Sequence, residues 1–269
     1  MRWVIGDVHG MLRQLQTLVK EVRKRDIYAE LIFVGDFVNR GPDSKGVIDY
    51  LIGLKNARFV RGNHDDVLDL ILSDEWKAGE NGAFDPLAAC VWFLDHGLDR
   101  TLMSYGVEYT ELEIERERRT KRLLEMVRSA VPRAHKKFIH NLPLLIAEDD
   151  LFVSHAWWPG EVDNSPENAA SLVSDPAFCH RVLWHRWQIR EITERKTWKR
   201  RAFFGHTPVI NYAPQHRDGG LDVMRPVRGH MMTLIDTACV IDKDGRLTAM
   251  CVDHDAVVQV DRMAKVVKS

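Results

Sequence analysis

No two cysteines of this chain share a spacing that ligates zinc or forms a redox couple: Cys90, Cys179, Cys239 and Cys251 stand far apart, without a C-x-x-C. That excludes a disulfide scaffold or a zinc ribbon as the organising device, and a reduced, cytoplasmic setting is expected. Net charge is nearly absent too, −1 from 38 basic and 39 acidic residues. No overall field therefore concentrates nucleic acid or an anionic membrane, and neither is expected as a partner. No apolar run approaches the roughly 20 residues of a membrane span. The opening Met1-Arg2-Trp3-Val4-Ile5-Gly6 is too short for a secretory signal. Internal repeats and low-complexity tracts are missing as well. What is present is an ordinary globular composition over 269 residues, 45% hydrophobic and 29% charged, which is enough for one sizeable core. A single catalytic domain over residues 1–269 is expected.

Short apolar runs alternate with amphipathic stretches in the first third, the pattern of strands joined by crossover helices. Trp3 to Gly6, Leu31 to Gly35 and Arg58 to Gly62 read as strands, each ending in a glycine followed at once by Asp7, Asp36 or Asn63. The carboxyl edge of such a sheet is where open α/β folds place ligands. From about Val67 to Asn141 the pattern turns helical, and the charged run Glu111 to Arg122 within it reads as a solvated helix face. Strand candidates then return at Leu142 to Ala147, Leu151 to Ser154, Arg201 to Gly205, Met231 to Asp236 and Arg246 to Val252, while Tyr212 to Gly229 reads as a loop. The predicted class is α/β: two packed sheets with helices outside and a helical insertion at about 67–141.

Five separated segments put metal-ligand types just after strands: Asp7-Val8-His9, Asp36, Asn63-His64, His155 and His206. One Gly-Asp or Gly-His after a strand is common by chance, whereas five together point to one site. A mixed carboxylate and imidazole set suits Mn²⁺, Fe or Zn²⁺ better than Mg²⁺ or Ca²⁺. Two ions sharing one carboxylate can clamp a phosphoryl group for in-line displacement, and Asp36, on the central strand of the first three, is the natural bridge.

Gly6-Asp7-Val8-His9-Gly10, Gly35-Asp36-Phe37-Val38-Asn39-Arg40-Gly41 and Arg61-Gly62-Asn63-His64-Asp65 resemble the signature of calcineurin-like metallophosphoesterases, most of all the PPP-type phosphoprotein phosphatase branch. Ser154-His155-Ala156, Leu183-Trp184-His185-Arg186, Phe204-Gly205-His206-Thr207-Pro208 and Ile235-Asp236-Thr237 resemble later motifs of its small bacterial and bacteriophage members, among them the symmetrical diadenosine tetraphosphatases. The resemblance spans nearly the whole chain. It implies a four-layer αββα sandwich of two mixed sheets. It also implies two divalent ions, Mn²⁺ first, one held by Asp7, His9 and Asp36 and the other by Asp36, Asn63, His155 and His206. Further implications are phosphate-gripping Arg40 and Arg186, His64 as general acid, and attack by a hydroxide bridging the two ions.

The most informative departure is Asn39, where the PPP branch usually has an aspartate holding that histidine. An asparagine carbonyl can accept the imidazole N–H but adds no charge, so good leaving groups are expected to be favoured; Asp43, Asp65 and Asp66 are alternative sources of the missing charge. Trp157 and Trp158 replace a small-residue run; they read first as partly buried core, and stacking of an aromatic substrate group is the alternative. The expected substrate is a phosphorylated protein or peptide, or a small phosphate ester. A diadenosine tetraphosphatase is the alternative, and an inactive metal-binding scaffold or a nuclease is disfavoured by the complete ligand set and by Thr207-Pro208 after His206.

Overall fold

The computed structural model describes residues 1–73, 85–212 and 223–267. Strand β1 (Arg2–Ile5) leads through α1 (Leu12–Arg25) to β2 (Glu30–Phe33), and α2 (Ser44–Ile52) leads to β3 (Ala57–Phe59). Helices α3 (Asn63–Leu72), α4 (Pro86–Phe93), α5 (Asp99–Ser104), α6 (Tyr109–Arg118), α7 (Lys121–Ala130) and α8 (Arg133–His140) follow, with a π-helical turn at Leu94–Leu98. Next come β4 (Leu145–Ala147), β5 (Leu151–Ser154), α9 (Pro166–Leu172), α10 (Pro176–Trp184), α11 (Ile189–Thr193) and β6 (Arg201–Phe204). The chain closes with β7 (Val227–Gly229), β8 (Met232–Leu234), β9 (Arg246–Cys251), β10 (Val257–Asp261) and β11 (Val266–Val267).

These strands form two mixed sheets, ordered β11-β10-β9-β1-β2-β3 and β4-β5-β6-β8-β7. In the first the parallel strands β1-β2-β3 form one half, with antiparallel β9, β10 and β11 beyond β1; in the second β5-β6-β8 form a parallel centre flanked by antiparallel β4 and β7. Period-two alternation builds the layers. Trp3 and Ile5 of β1, with Leu31 and Phe33 of β2, face the core shared with α1 and α2, whereas Val4 and Ile32 turn to the other sheet. There they meet Leu151, Val153 and Phe203, while Phe152 and Phe204 face a third cluster rich in tryptophan under α9 to α11. The result is the expected sandwich: helices, six strands, five strands, helices. Phe203 is fully buried between the sheets, so Phe203→Ala is expected to cost about 3–5 kcal/mol through lost contacts and the cavity left behind. Urea unfolding with a lowered midpoint and unchanged slope checks this.

Several boundaries differ from expectation. Residues 213–222 of the predicted Tyr212 to Gly229 loop lie outside the described residues, but its end is strand β7, paired antiparallel with β8; three residues are too few to show alternation. Helix α3 starts at Asn63 rather than beyond Val67, so Asn63 and His64 stand in its first turn. The charged stretch is broken at Arg119, which has a positive φ, into α6 and α7. It is a solvated face except for Leu112 and Glu115; the buried Glu115 carboxylate accepts from Thr120 at 2.7 Å and Arg118 at 3.3 Å. Among the described residues no helix is long and apolar enough to cross a membrane.

Candidate metal centre

Both sheets deliver ligand types at the carboxyl ends of parallel strands. Asp7 and His9 follow β1, Asp36 follows β2, Asn63 follows β3, His155 follows β5 and His206 follows β6. All six are at least nine-tenths buried. The turns that carry them bend sharply: His9, Asp36, Asn39, Arg40 and His206 all have positive φ, from 43° to 70°. Such backbone is disfavoured for residues with a Cβ, and clusters of it mark functional sites. Two neighbouring turns are locked by Asp65, whose carboxylate accepts from the backbone N–H of Asp36 (2.8 Å), Phe37 (2.9 Å) and Gly62 (3.0 Å). Gly62 is required there, since a Cβ would come within 2.1 Å of Asp36 Oδ1.

The three inward histidines share one arrangement. His9 Nδ1–H donates to the carbonyl of Val38 (2.9 Å), His155 Nδ1–H to that of Val34 (2.8 Å), and His206 Nε2–H to that of Trp184 (3.2 Å). Each outer nitrogen is thereby the proton-bearing one, and the inner nitrogen presents a lone pair, the tautomer a metal ligand needs. Those lone pairs face acceptors: His155 Nε2 and His206 Nδ1 both lie 3.0 Å from Asn63 Oδ1, and Asp36 oxygens lie 3.4 Å from His9 Nε2 and 3.5 Å from His155 Nε2. Acceptors crowded this way repel one another unless cations lie between them, so the residues present fit divalent metal ions. Asp36 belongs to both groups of potential ligands, with His9 and His64 in one and with Asp7 and His155 in the other. Burial holds His9 and His206 well below the usual histidine range and brings His155 down to about 4. It also pushes Asp7 well up and Asp36 to about 7. Neutral imidazoles among carboxylates short of compensating charge are what bound cations require.

Beside the ligands lies a cavity of about 280 Å³ lined by Arg40, Arg186, His64, Trp92, His96 and Trp184, among others. Arg40 Nη1 reaches His9 Nε2 at 2.7 Å, and exposed Arg186 lines the same cavity. Both predicted phosphate arginines therefore stand at the site, with Arg186 in the cavity rather than packed among tryptophans. The helical region holds Arg40 directly: its backbone N–H donates to the Gly97 carbonyl (3.1 Å), and a Cβ on Gly97, whose φ is +95°, would lie 2.3 Å from the Arg40 nitrogen. Gly97→Ala is accordingly expected to displace Arg40 and raise KM about tenfold with bound metal unchanged, as steady-state kinetics beside metal analysis would show.

The calcineurin-like phosphoesterase family model matches residues 2–209. The chain belongs to that family. It is 44% identical over 63 residues to a symmetrical bis(5'-nucleosyl)-tetraphosphatase of Coxiella burnetii, a match spanning 23% of this chain and 22% of that protein. Over a longer span it is 26% identical to serine/threonine-protein phosphatase 1 of Salmonella typhimurium, covering 77% and 78% of the two chains. A crystal structure provisionally assigned as a diadenosine tetraphosphatase superposes with a TM-score of 0.51 at 19% identity, over 96% of this chain and 92% of that one, which speaks for the fold.

In this phosphoesterase the Asn39 contact differs from expectation. The Asn39 amide nitrogen, not its carbonyl, faces His64 Nδ1, at 2.8 Å, because Thr101 Oγ1 donates to Asn39 Oδ1 at 2.9 Å. The same hydroxyl accepts from the Asn39 backbone N–H and pairs with Ser44 Oγ at 2.9 Å. Sequence alone could not show this, since Thr101 lies 62 residues away. None of the three alternative aspartates hydrogen-bonds His64 among the described residues: Asp43 caps α2, Asp65 holds the turns, and Asp66 pairs with Arg61. The core reading of the paired tryptophans holds. Trp157 and Trp158 are buried, 5% and 0% exposed, with the Arg181 guanidinium over the Trp157 ring. The aromatic wall is made instead by Trp92, 42% exposed, and Trp184, with ring centroids 6.2 Å apart. Asp236, buried just past β8 and pushed up to about 6 by burial, is a further carboxylate whose charge acts on Asp7. Its signal was a sixth strand end, Ile235-Asp236.

Proposed function

We propose that this phosphoesterase hydrolyses a phosphoryl compound at a centre of two divalent ions, and that its leaving group departs with little protonation, as in a phosphoanhydride of a nucleoside polyphosphate. The supporting observation is the Asn39 Nδ2–His64 Nδ1 contact. A donor facing Nδ1 leaves the proton of neutral His64 on Nε2 and opposes a second proton on the ring. His64 therefore offers a hydrogen bond rather than the strong acid an alkoxide needs, whereas a phosphate leaving group is already stable as an anion.

Asp7, His9 and Asp36 would hold one ion, and Asp36, Asn63, His155 and His206 the other. When bound, the ions supply Lewis acidity, neutralising phosphoryl oxygens and easing deprotonation of a water. Arg40 and Arg186, which line the same cavity, grip the phosphoryl oxygens with planar, forked donors and orient the substrate. The imidazole-rich set suits Mn²⁺, with Fe or Zn²⁺ next. The unpaired, buried Cys90, Cys239 and Cys251 suit the cytoplasm.

Phosphoprotein cleavage, the first expectation from sequence, is the second reading. It is supported by the Salmonella serine/threonine phosphatase, whose likeness runs over most of both chains. The two are separated by giving metal-stripped, Mn²⁺-restored protein a phosphoserine peptide and diadenosine tetraphosphate in parallel. Faster cleavage of the dinucleotide supports the first reading, faster release from the peptide replaces it with the second, and no turnover of either overturns both.

A further inference from the structure

A second cavity, of about 370 Å³, adjoins the metal centre and shares Arg40 with it. The other cations on its wall are Arg13, in the first turn of α1, and Arg262, in the turn between β10 and β11. Topology puts this turn at the catalytic edge. Strand β9 runs antiparallel to β1 with Ala249 opposite Ile5, and β10 pairs Asp261 with Arg246, three residues further along. The β10–β11 turn thus overshoots the end of β1 on the side where Asp7 and His9 stand. Gln14 Nε2 donates to the Arg262 carbonyl at 2.6 Å, fixing the turn against α1.

The charge around this cavity is one-sided. Its one carboxylate is Asp43, which is committed to capping α2 through the Gly46 N–H at 2.7 Å. The first turn of α1 carries no acidic residue. Among the described residues Arg13, Arg40 and Arg262 form no salt bridge; Arg40 Nη1 reaches His9 Nε2 at 2.7 Å and Arg262 Nη1 donates to the Asp242 carbonyl at 3.4 Å, neither of which carries a negative charge. Three guanidiniums gathered on a concave wall without carboxylate partners repel one another, and an anion that accepts from them relieves that repulsion.

We propose that this cavity is a second anion subsite, which takes a further phosphate of the same substrate whose scissile phosphoryl group lies on the metal side of Arg40. The inference deepens the phosphoanhydride reading and rests on it: a monoester has nothing to place there, while a phosphate chain crosses Arg40 from one cavity to the other. Discrimination between a polyphosphate and a simple phosphate ester then comes from Arg13 and Arg262, not from the metal ligands.

The test is calorimetric binding of inorganic tripolyphosphate and of orthophosphate to the Mn²⁺-loaded full chain, at fixed free Mn²⁺, for the native protein and for Arg13→Ala/Arg262→Ala. Native protein is expected to bind tripolyphosphate at least about tenfold more tightly than orthophosphate, the size of one or two charge-assisted hydrogen bonds. The double variant should lose that advantage with orthophosphate affinity unchanged, and Arg13→Lys/Arg262→Lys should recover part of it. Both side chains are exposed, so an unaltered melting curve is expected to accompany the loss. Unchanged tripolyphosphate affinity in the double variant, or equal weakening toward both anions, overturns the subsite. Turnover of 4-nitrophenyl phosphate and diadenosine tetraphosphate by native protein is measured alongside, so that failure of the phosphoanhydride reading is seen separately from failure of the subsite.

Discussion

Asp36→Asn is expected to lower turnover by about a thousandfold, the scale of removing a preorganised charged group from a catalytic centre, and to reduce bound metal. Asp36 is the residue common to both groups of potential ligands, and asparagine preserves its volume while removing its charge and leaving one neutral acceptor oxygen. The position is also structural: Oδ1 of Asp36 accepts from the backbone N–H of His64 at 3.0 Å, which the amide oxygen can continue to do. The fold should therefore survive, and metal analysis with circular dichroism on the same sample distinguishes a lost centre from a lost fold. Full turnover in this variant would defeat a mechanism in which two ions share the carboxylate.

The second large effect is a gain. Asn39→Asp places an acceptor opposite His64 Nδ1, so the ring can hold protons on both nitrogens and donate one to a departing alkoxide. Cleavage of a phosphoserine peptide is expected to rise about a hundredfold, the low end of general-acid contributions, while 4-nitrophenyl phosphate, whose leaving group needs no proton, changes little. The diagnostic is a flattened dependence of rate on leaving-group pKa. A uniform change across all leaving groups would show that Asn39 acts on something other than proton donation. Thr101 supports the substitution, because its hydroxyl, which now donates to the Asn39 carbonyl, can donate equally to one carboxylate oxygen and leave the other to accept from His64 Nδ1–H.

Most of the centre was legible in the sequence because each ligand type directly follows a strand that periodicity identifies, and strand ends of a parallel sheet converge on one edge. Asp7, His9, Asp36, Asn63, His155 and His206 are local signals of that kind. The sandwich was legible for a similar reason: the continuous apolar runs Trp3–Ile5 and Leu31–Phe33 announce sheets with two buried faces. The core placement of Trp157 and Trp158 was legible from their hydrophobicity, but composition does not say which tryptophan lines the site. Trp157 and Trp158 follow β5 into the core, whereas Trp92, on a helix distant in sequence, forms the wall of the site. Strands β7, β10 and β11 were not read from the sequence, because pairing with a neighbouring strand rather than a pattern of their own defines them.

The sequence by itself determined the identity of the metal-ligand types, their order along the chain and the family, since these depend on residues within a few positions of a strand end. Only the tertiary structure decided which way the Asn39 amide points, what holds Arg40, and that Arg13, Arg40 and Arg262 gather around one cavity. Those outcomes depend on contacts between residues as far apart as Asn39 and Thr101, or Gln14 and Arg262. Hydrogen-bond direction and charge proximity are properties of atoms brought together by folding, and no local pattern encodes them.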